Sequence, residues 1–171
     1  MGIIIYLTFY SLILFSILGH GYIFKKCFFA GSQINFGYQG YLGLFFLTFI
    51  SYFSSFFTSH NLVFNTIILL IGLFGFIFYL FLNFHKIKKD LSLILLIFIL
   101  LIVFILTAKN HDDFPYYHFS YIHLLTTSTH DIGIGNFNHG FRTPSSIFYL
   151  FSLFYLPKVN YDLIHILPTF F

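Results

Sequence analysis

Long apolar stretches alternate with short polar ones along the chain. The four apolar runs cover residues 3–24, 40–57, 62–84 and 91–106, and the fourth is almost wholly Leu, Ile, Phe and Val. About 20 residues of helix cross the roughly 30 Å of hydrocarbon in a bilayer. We therefore expect an all-α fold, a polytopic transmembrane helical bundle with about four full spans.

Glycines interrupt the second and third runs. Gly37, Gly40 and Gly43 recur at a spacing of three residues, and Gly72 and Gly75 lie inside the third run. Small residues let a neighbouring membrane helix approach closely. The spacing around Gly40 therefore predicts helix packing and not a phosphate-binding loop, because no Lys-Ser/Thr pair follows and no strand precedes it.

Composition excludes a water-soluble domain. Hydrophobic residues make up 58% of the 171 residues and charged residues only 8%, against about 25% charged residues in soluble domains. The formal net charge of +3 comes from lysines at helix ends, so it reports membrane topology and predicts no nucleic-acid partner. The lipid bilayer is the partner that this composition predicts.

Two lysine clusters set the expected orientation. Lys25 and Lys26 follow the first run, and Lys86, Lys88 and Lys89 follow the third. Two crossings separate the clusters, so both lie on one side, and the positive-inside rule makes that side the cytoplasm. We expect a multi-pass protein whose N-terminus lies outside the cytoplasm.

The polar and apolar segments divide the chain into three regions. Residues 1–108 hold the N-terminal transmembrane helices, and residues 109–146 form an extracytoplasmic loop with the candidate site. Residues 147–171 hold a short membrane-dipping helix over 147–156, ended by Pro157, and the start of a further helix over 163–171. Because that helix is incomplete, we expect the chain to be a portion of a longer protein.

The loop region concentrates the reactive side chains. It holds five of the nine histidines and three of the five acids. Adjacent carboxylates beside lipid must be solvated, paired or metal-bound, so Asp112 and Asp113 are candidates for catalysis or for a divalent ion such as Mg²⁺ or Mn²⁺ held together with substrate phosphates. The alternative is structural: Asp113 precedes Phe114-Pro115 and could cap a helix, and Asp112 could be a solvated loop charge.

Residues 115–127 predict a short amphipathic helix lying flat at the outer interface. Its histidines, His118 and His123, are five residues apart, so they cannot readily coordinate one metal ion together. The apolar face would carry Phe114, Tyr117, Tyr121, Leu124 and Leu125, with His123 and Thr126 on the opposite face.

Arg142 is the only arginine in the chain. A guanidinium presents a fork of donors that suits a phosphate or a carboxylate, although an interface anchor explains a lone arginine equally well. The preceding Gly133-Ile-Gly-Asn136 is a turn by composition.

These loop motifs resemble a known group of proteins. An acid shortly before Tyr-His (Asp113, Tyr117, His118), the Gly133–Asn136 segment, and Ser145-Ser146 before an apolar half-helix are similar to bacterial polytopic proteins of surface-polysaccharide loci. Those proteins resemble glycosyltransferases of the GT-C membrane class, which take sugars from polyprenyl-phosphate carriers at the outer side of the membrane. Two positions depart from the pattern: Pro144 stands where Asn is expected, and Gly140 where an Arg is expected.

The resemblance implies roles for particular residues. Asp113, with Asp112, would be the general base or metal contact. A bacterial inner-membrane location, a polyprenyl-phosphate sugar and a glycan acceptor are implied as well. The residues implied in phosphate or acceptor binding are Tyr117, His118, Asn136, His139 and Arg142.

A non-catalytic role is the alternative, either as an integral membrane subunit or as a transporter fragment. A transporter places ionisable groups at mid-membrane depth. The four runs contain none beyond His20, near a helix end. This pattern argues against transport but leaves a scaffold role open.

Overall fold

The computed structural model describes residues 2–106, 112–136 and 138–170, without the side chains of 85–90, 104, 165, 167 and 168. Over these residues the fold is all-α, as predicted, with a single isolated β-bridge between Leu156 and Asn160. The α-helices are α1 (Ile3–Phe28), α2 (Phe36–Ser55), α3 (Leu62–Leu106), α4 (Phe119–Thr127) and α5 (Ser146–Ser152). A π-helical turn (Phe114–His118) precedes α4, and 3₁₀ turns cover Ile134–Asn136, His139–Phe141 and Ile164–Phe170.

The helix α3 contains two arms that run in opposite directions. Its backbone departs from helical angles at Asn83 (φ −128°, ψ 20°). In a straight helix Leu69 and Phe98 would lie about 43 Å apart. Instead, both residues lie beside the same part of α1. Leu69 lines a small cavity with Ile13, and the Phe98 ring packs 5.5 Å from the ring of Tyr10, one helical turn from Ile13. The chain therefore reverses between the first arm (Leu62–Phe84) and the second arm (Leu91–Val103), close to the predicted boundary of the third and fourth runs.

The helix α1 is central, because α2 and both arms of α3 pack against it. A Cβ on Gly43 of α2 would lie 1.9 Å from the Ile17 carbonyl oxygen, and one on Gly19 would lie 1.7 Å from that of Gly72. These distances leave no room for any side chain, so the helices touch through their backbones. Gly75 shares the interface, whereas Gly37 meets only the Asn35 side chain, so part of the predicted glycine stripe faces away from it.

Buried polar side chains line the α1 interfaces. The Gln39 amide donates to the Leu18 carbonyl oxygen at 3.0 Å, and His20 Nε2 donates to that of Ile68, also at 3.0 Å. Each of these side chains is about 1% exposed. The Gln39 amide and His20 Nε2 are thus paired with backbone acceptors, as burial favours, whereas the buried His20 Nδ1 and Tyr22 hydroxyl have no hydrogen-bond partner among the described residues.

Two helices are long and apolar enough to cross a membrane, judged by length and composition in the described residues: Ile3–Phe28 and Leu62–Phe84. The second arm of α3 is apolar but shorter. The helix α2 has 20 residues but includes the polar residues Gln39, Ser51 and Ser55. Two spans therefore meet this test, where the pattern predicted four.

The short segments after α3 pack more deeply than expected. Tyr121 and Ile122 are fully buried and Thr126 is nearly so, so one face of α4 packs into the fold. Thr126 lies on that buried face together with Tyr121, and its placement on the opposite face was wrong. The helix α5 ends at Ser152, short of the predicted residue 156, and its residues Phe148, Tyr149 and Leu150 are buried in the protein. Residues 164–170 form a 3₁₀ helix and not the expected α-helix, and Phe170 stacks on Tyr10 at 4.8 Å.

The boundaries of the predicted regions fall partly outside what the structure describes. Residues 107–111, where the first region was expected to end, are not among the described residues, and neither is Phe171. The side chains of Lys86, Lys88 and Lys89 also lie outside the description. The Lys25 and Lys26 cluster occupies the last turn of α1, as predicted.

Replacing Gly43 with Ala is expected to destabilise the protein by about 1–3 kcal/mol, because the new methyl group collides with the backbone of α1 and forces the helices apart. Gly37→Ala on the same helix is the matched control, since a Cβ there meets only a side-chain atom at 3.6 Å. Denaturation in detergent measures both free energies of unfolding. Equal stability of the two variants would contradict the close approach.

Candidate functional site

A polar cavity opens where α2 ends. Its volume is about 550 Å³, and we call it the loop pocket. Its walls come from α2, from the segment that follows α4, and from α5. The lining residues are Tyr52, His130, Asp131, Gly133, Ile134, Gly135, Asn136, Phe141, Arg142, Pro144 and Tyr149.

A backbone hydrogen bond fixes one wall of the loop pocket. The His130 N–H donates to the Ser55 carbonyl oxygen at 2.7 Å, one of the last-turn carbonyls that a helix cannot satisfy internally. The His130 ring also packs edge-on against Phe56, with centroids 4.9 Å apart. These contacts tie His130 and its neighbour Asp131 to the end of α2.

A tight turn forms the opposite wall and holds Arg142. Gly133 has φ +88°, which favours glycine, and the Asn136 N–H closes the turn on the Gly133 carbonyl oxygen at 2.9 Å. The Arg142 Nε donates to the Gly135 carbonyl oxygen at 3.3 Å, and among the described residues its terminal nitrogens have no hydrogen-bond acceptor, so they can bind a ligand. A Cβ on Gly135 would lie 2.9 Å from the Arg142 Cγ, so the arginine packs tightly over this glycine.

Two buried tyrosines support the inner wall. The hydroxyls of Tyr121 and Tyr149 lie 2.6 Å apart, and the Tyr149 hydroxyl lies 3.3 Å from His130 Nδ1. Burial raises the pKa of both hydroxyls. Both tyrosines therefore stay neutral, and a line of hydrogen bonds runs from the core to the pocket.

The structure brings only some of the predicted site residues together. Asn136 and Arg142 line the loop pocket. Tyr117 lies behind it, stacked on Phe141 at 6.1 Å, with its hydroxyl donating to the Thr143 carbonyl oxygen at 3.4 Å. The remaining predicted residues, Asp112, Asp113, His118 and His139, do not line the pocket.

The acidic pair and His118 lie on the approach to α4. Asp112 and Asp113 are exposed, and Asp113 forms no capping hydrogen bond although Pro115 follows, so the capping interpretation was wrong. The His118 ring lies 4.9 Å from that of Phe148. Within the described residues no three His, Cys, Asp or Glu side chains gather as a metal site would require.

Sequence reasoning missed four polar lining residues: Tyr52, His130, Asp131 and Tyr149. His130-Asp131 stands just before the Gly133 turn, and that adjacency was a readable signal. Tyr52 and Tyr149 lie in apolar runs, where nothing separates them from the other tyrosines. Only the packing of α5 against α2 brings these two rings together, 5.0 Å apart.

A buried polar network anchors α5, and with it the inner wall. His60 Nδ1 lies 2.5 Å from Ser152 Oγ and its Nε2 lies 3.0 Å from Ser54 Oγ. The Asn65 Nδ2 lies 2.8 Å from each of the carbonyl oxygens of His60, Ser152 and Tyr155, which share its two hydrogens. The α2–α3 turn is thereby joined to the end of α5.

The stability of the protein is expected to fall as the pH drops from about 6.5 to about 4. Burial lowers the pKa of His60 from 6.5 to about 4, so the unfolded chain binds more protons than the folded one between these values. The contribution of His60 to this loss is at most roughly 3 kcal/mol. Denaturation midpoints in detergent as a function of pH measure it.

His60→Gln is expected to flatten this pH dependence, whereas His123→Gln, at an exposed histidine, is expected to retain it. An unchanged slope in His60→Gln would exclude His60 as the source.

Comparisons with known proteins add a family but no activity. Neither the curated proteins nor the solved structures include a match to the chain. A family model described as "Domain of unknown function (DUF8201)" matches residues 1–171, and the protein belongs to that family.

Proposed function

We propose that the protein is a multi-pass protein of the bacterial inner membrane, similar to GT-C glycosyltransferases, which transfers a sugar from a polyprenyl-phosphate carrier to a glycan acceptor. The loop pocket is the proposed site. The observation that carries the proposal is that one guanidinium, Arg142, and one carboxylate, Asp131, line the same cavity at one end of an apolar helical bundle.

The distribution of polarity supports membrane insertion. Only 11% of the most apolar stretch of Leu62–Phe84 is buried, whereas the core helix of a soluble protein is mostly buried. Phe81 is 87% exposed and Phe74 is 68% exposed. Apolar side chains on the outside and polar side chains inside are the arrangement expected of a protein surrounded by hydrocarbon. The exposed apolar surface is also larger than the apolar patches that soluble monomers expose.

Helix directions support four crossings. Gly21 of α1 faces Gln39 of α2 while Ile17 faces Gly43, so α2 runs antiparallel to α1, and its 20 residues span about 30 Å. The polar side chains of α2 point inward, which explains its modest apolarity. The second arm of α3 retraces α1 in the opposite direction, ending where Tyr6 donates to the Ile105 carbonyl oxygen at 3.2 Å.

The ends of the helices support an outward-facing pocket. Lys25 and Lys26 lie at the C-terminal end of α1, and the turn of α3 lies at that same end, since the Tyr22 and Tyr79 rings are 5.1 Å apart. The loop pocket lies at the other end, next to Ser55. With the lysines on the cytoplasmic side, the pocket and the N-terminus face outward.

The chemistry that we propose uses the two charges of the loop pocket. The terminal nitrogens of Arg142 would bind the phosphate of the carrier lipid and stabilise it as it departs. Asp131 would accept the proton of the acceptor hydroxyl as general base. We assign this role to Asp131 in preference to Asp113, because Asp131 lines the pocket.

A divalent ion stays part of the proposal in a limited form. Asp112 and Asp113 would hold Mg²⁺ or Mn²⁺ only together with phosphate oxygens of the substrate and water, which Mg²⁺ commonly retains. Tyr117, His118 and His139 would then contact the acceptor or the carrier from the side of α4.

Labelling with a membrane-impermeant maleimide tests the topology. In right-side-out vesicles, exposed Cys27 at the lysine end is expected to be protected. A cysteine introduced by Ile132→Cys, at a residue that is 94% exposed beside the pocket, in a Cys27→Ser background is expected to react. Detergent-opened vesicles, in which both sites react, are the control. The reverse pattern would place the pocket on the cytoplasmic side and contradict the proposed function.

Sugar transfer by purified protein in lipid nanodiscs tests the chemistry. Asp131→Asn is expected to slow transfer by about 10²-fold or more, because the base is lost. Arg142→Gln is expected to weaken carrier binding by about tenfold or more, because a charge-assisted contact is lost. Asp162→Asn, at an exposed carboxylate that does not line the loop pocket, is the matched control.

The outcomes separate the alternatives. Transfer that survives Asp131→Asn but is lost in Asp113→Asn would return the base to Asp113. Carrier binding without any transfer would favour a non-catalytic membrane subunit.

A further inference from the structure

We propose that His130 contacts the ligand of the loop pocket through a fixed Nε2–H donor, and that Tyr149 and Tyr121 are positioning residues that set this tautomer. The ligand class is a phosphorylated sugar, with phosphate oxygens at His130 and Arg142 and sugar hydroxyls at Asp131 and Asn136. The choice of ligand rests on the proposed function, whereas the tautomer follows from the geometry alone.

Hydrogen bonding from the core fixes which ring nitrogen of His130 carries the proton. The Tyr121 hydroxyl has one hydrogen to donate, and its one hydrogen-bond partner among the described residues is the Tyr149 hydroxyl, 2.6 Å away. If Tyr121 donates to Tyr149, the Tyr149 hydroxyl donates onward to His130 Nδ1, 3.3 Å away. A neutral imidazole that accepts at Nδ1 carries its hydrogen on Nε2.

The other protonation states leave a hydrogen without an acceptor. If Nδ1 carried a hydrogen, in a neutral ring or an imidazolium, Nδ1 and the two hydroxyls would have three hydrogens to place in two hydrogen bonds. One hydroxyl hydrogen, at Tyr121 or at Tyr149, would then have no acceptor, and these two side chains are 0% and 1% exposed. Buried donors without partners are strongly disfavoured, so the neutral Nε2–H state satisfies all three groups.

The remaining surroundings of His130 agree with a donor role. The backbone bond to Ser55 and the ring contact with Phe56 hold the imidazole in place. Its ring lines the pocket with one nitrogen already engaged by Tyr149, so Nε2 is the atom left for a ligand. The titratable and charged groups that line the pocket with it are Tyr149, Tyr52, Asp131 and Arg142, and Tyr121 lies behind Tyr149.

The set of donors and acceptors in the loop pocket defines the ligand. Arg142 and the His130 Nε2–H are donors that suit oxyanions, and Arg142 supplies the only positive charge among the lining residues. Asp131 is an acceptor for hydroxyl groups, and the Asn136 amide both donates and accepts. One cation, one neutral donor and one carboxylate match a ligand that joins a phosphate to a hydroxylated ring better than phosphate alone, because phosphate alone has no ring hydroxyls for Asp131 and Asn136 to bind.

Nitrogen-15 NMR of the protein in detergent, labelled at histidine, tests the tautomer directly. The His130 signals are assigned by their loss in His130→Asn. At neutral pH the wild-type protein is expected to show an unprotonated Nδ1 and a protonated Nε2 at His130. Tyr149→Phe is expected to give a mixture of tautomers, and Tyr155→Phe, outside the loop pocket, to leave the signals unchanged.

Binding of hexose 1-phosphate and of inorganic phosphate to the same proteins tests the ligand class. Tyr149→Phe is expected to weaken hexose 1-phosphate binding by about tenfold, with Tyr155→Phe unchanged. Inorganic phosphate is expected to bind more weakly than the sugar phosphate. Equal affinity for the two ligands, or no binding of either, would overturn the ligand class.

A protonated Nδ1 at wild-type His130, or wild-type signals in a folded Tyr149→Phe protein, would overturn the positioning role. The wild-type spectrum decides this even if Tyr149→Phe does not fold. A confirmed tautomer and sugar-phosphate binding in a protein that transfers no sugar would overturn the proposed function and leave this inference standing.

Discussion

Backbone contact between α1 and its two neighbours is the constraint on which the rest of the structure depends. At Gly43 and at the Gly19–Gly72 crossing the helices approach until no side chain fits between them. Such proximity places the carbonyl oxygens of Leu18 and Ile68 within reach of Gln39 and His20. The bundle can therefore bury polar groups while it exposes Phe, Leu and Ile, which is the distribution that a lipid surrounding favours.

The position of the loop pocket follows from that packing. Because α1 fixes α2 and the first arm of α3, the turn between them lies at one end of the bundle and carries His60 there. Its imidazole contacts both Ser54 and Ser152, and the Asn65 amide nitrogen is within hydrogen-bond distance of three carbonyl oxygens at the same end of the bundle. The short α5 is thereby fixed in the fold, and Tyr149 on it reaches His130, which is itself bound to the end of α2. Most residues that line the loop pocket belong to loops, but their contacts with helix ends hold them in place.

The candidate site could be predicted from the sequence only in part. Asn136 and Arg142 were found because a glycine turn and a lone arginine stand out in any chain. The acidic pair at Asp112 and Asp113 stood out for the same reason, yet the carboxylate in the loop pocket is Asp131. Local spacing does not reveal which of several loop acids folds back onto a helix end. That choice depends on the bond from the His130 N–H to Ser55, which joins residues 75 positions apart in the chain.

The sequence by itself determined the all-α class, the places where α1 and the first arm of α3 begin, and the lysine-bearing end of α1. Helix propensity, hydrophobic run length and charge position are local properties, so they can be read without a structure. Tertiary structure alone decided that Thr126 lies on the buried face of α4, that residues 164–170 wind as a 3₁₀ helix, and that Tyr121, Tyr149 and His130 form one hydrogen-bonded line. Each of these depends on contacts between segments far apart in the chain, and an apolar sequence offers many residues of equal hydrophobicity that could make them.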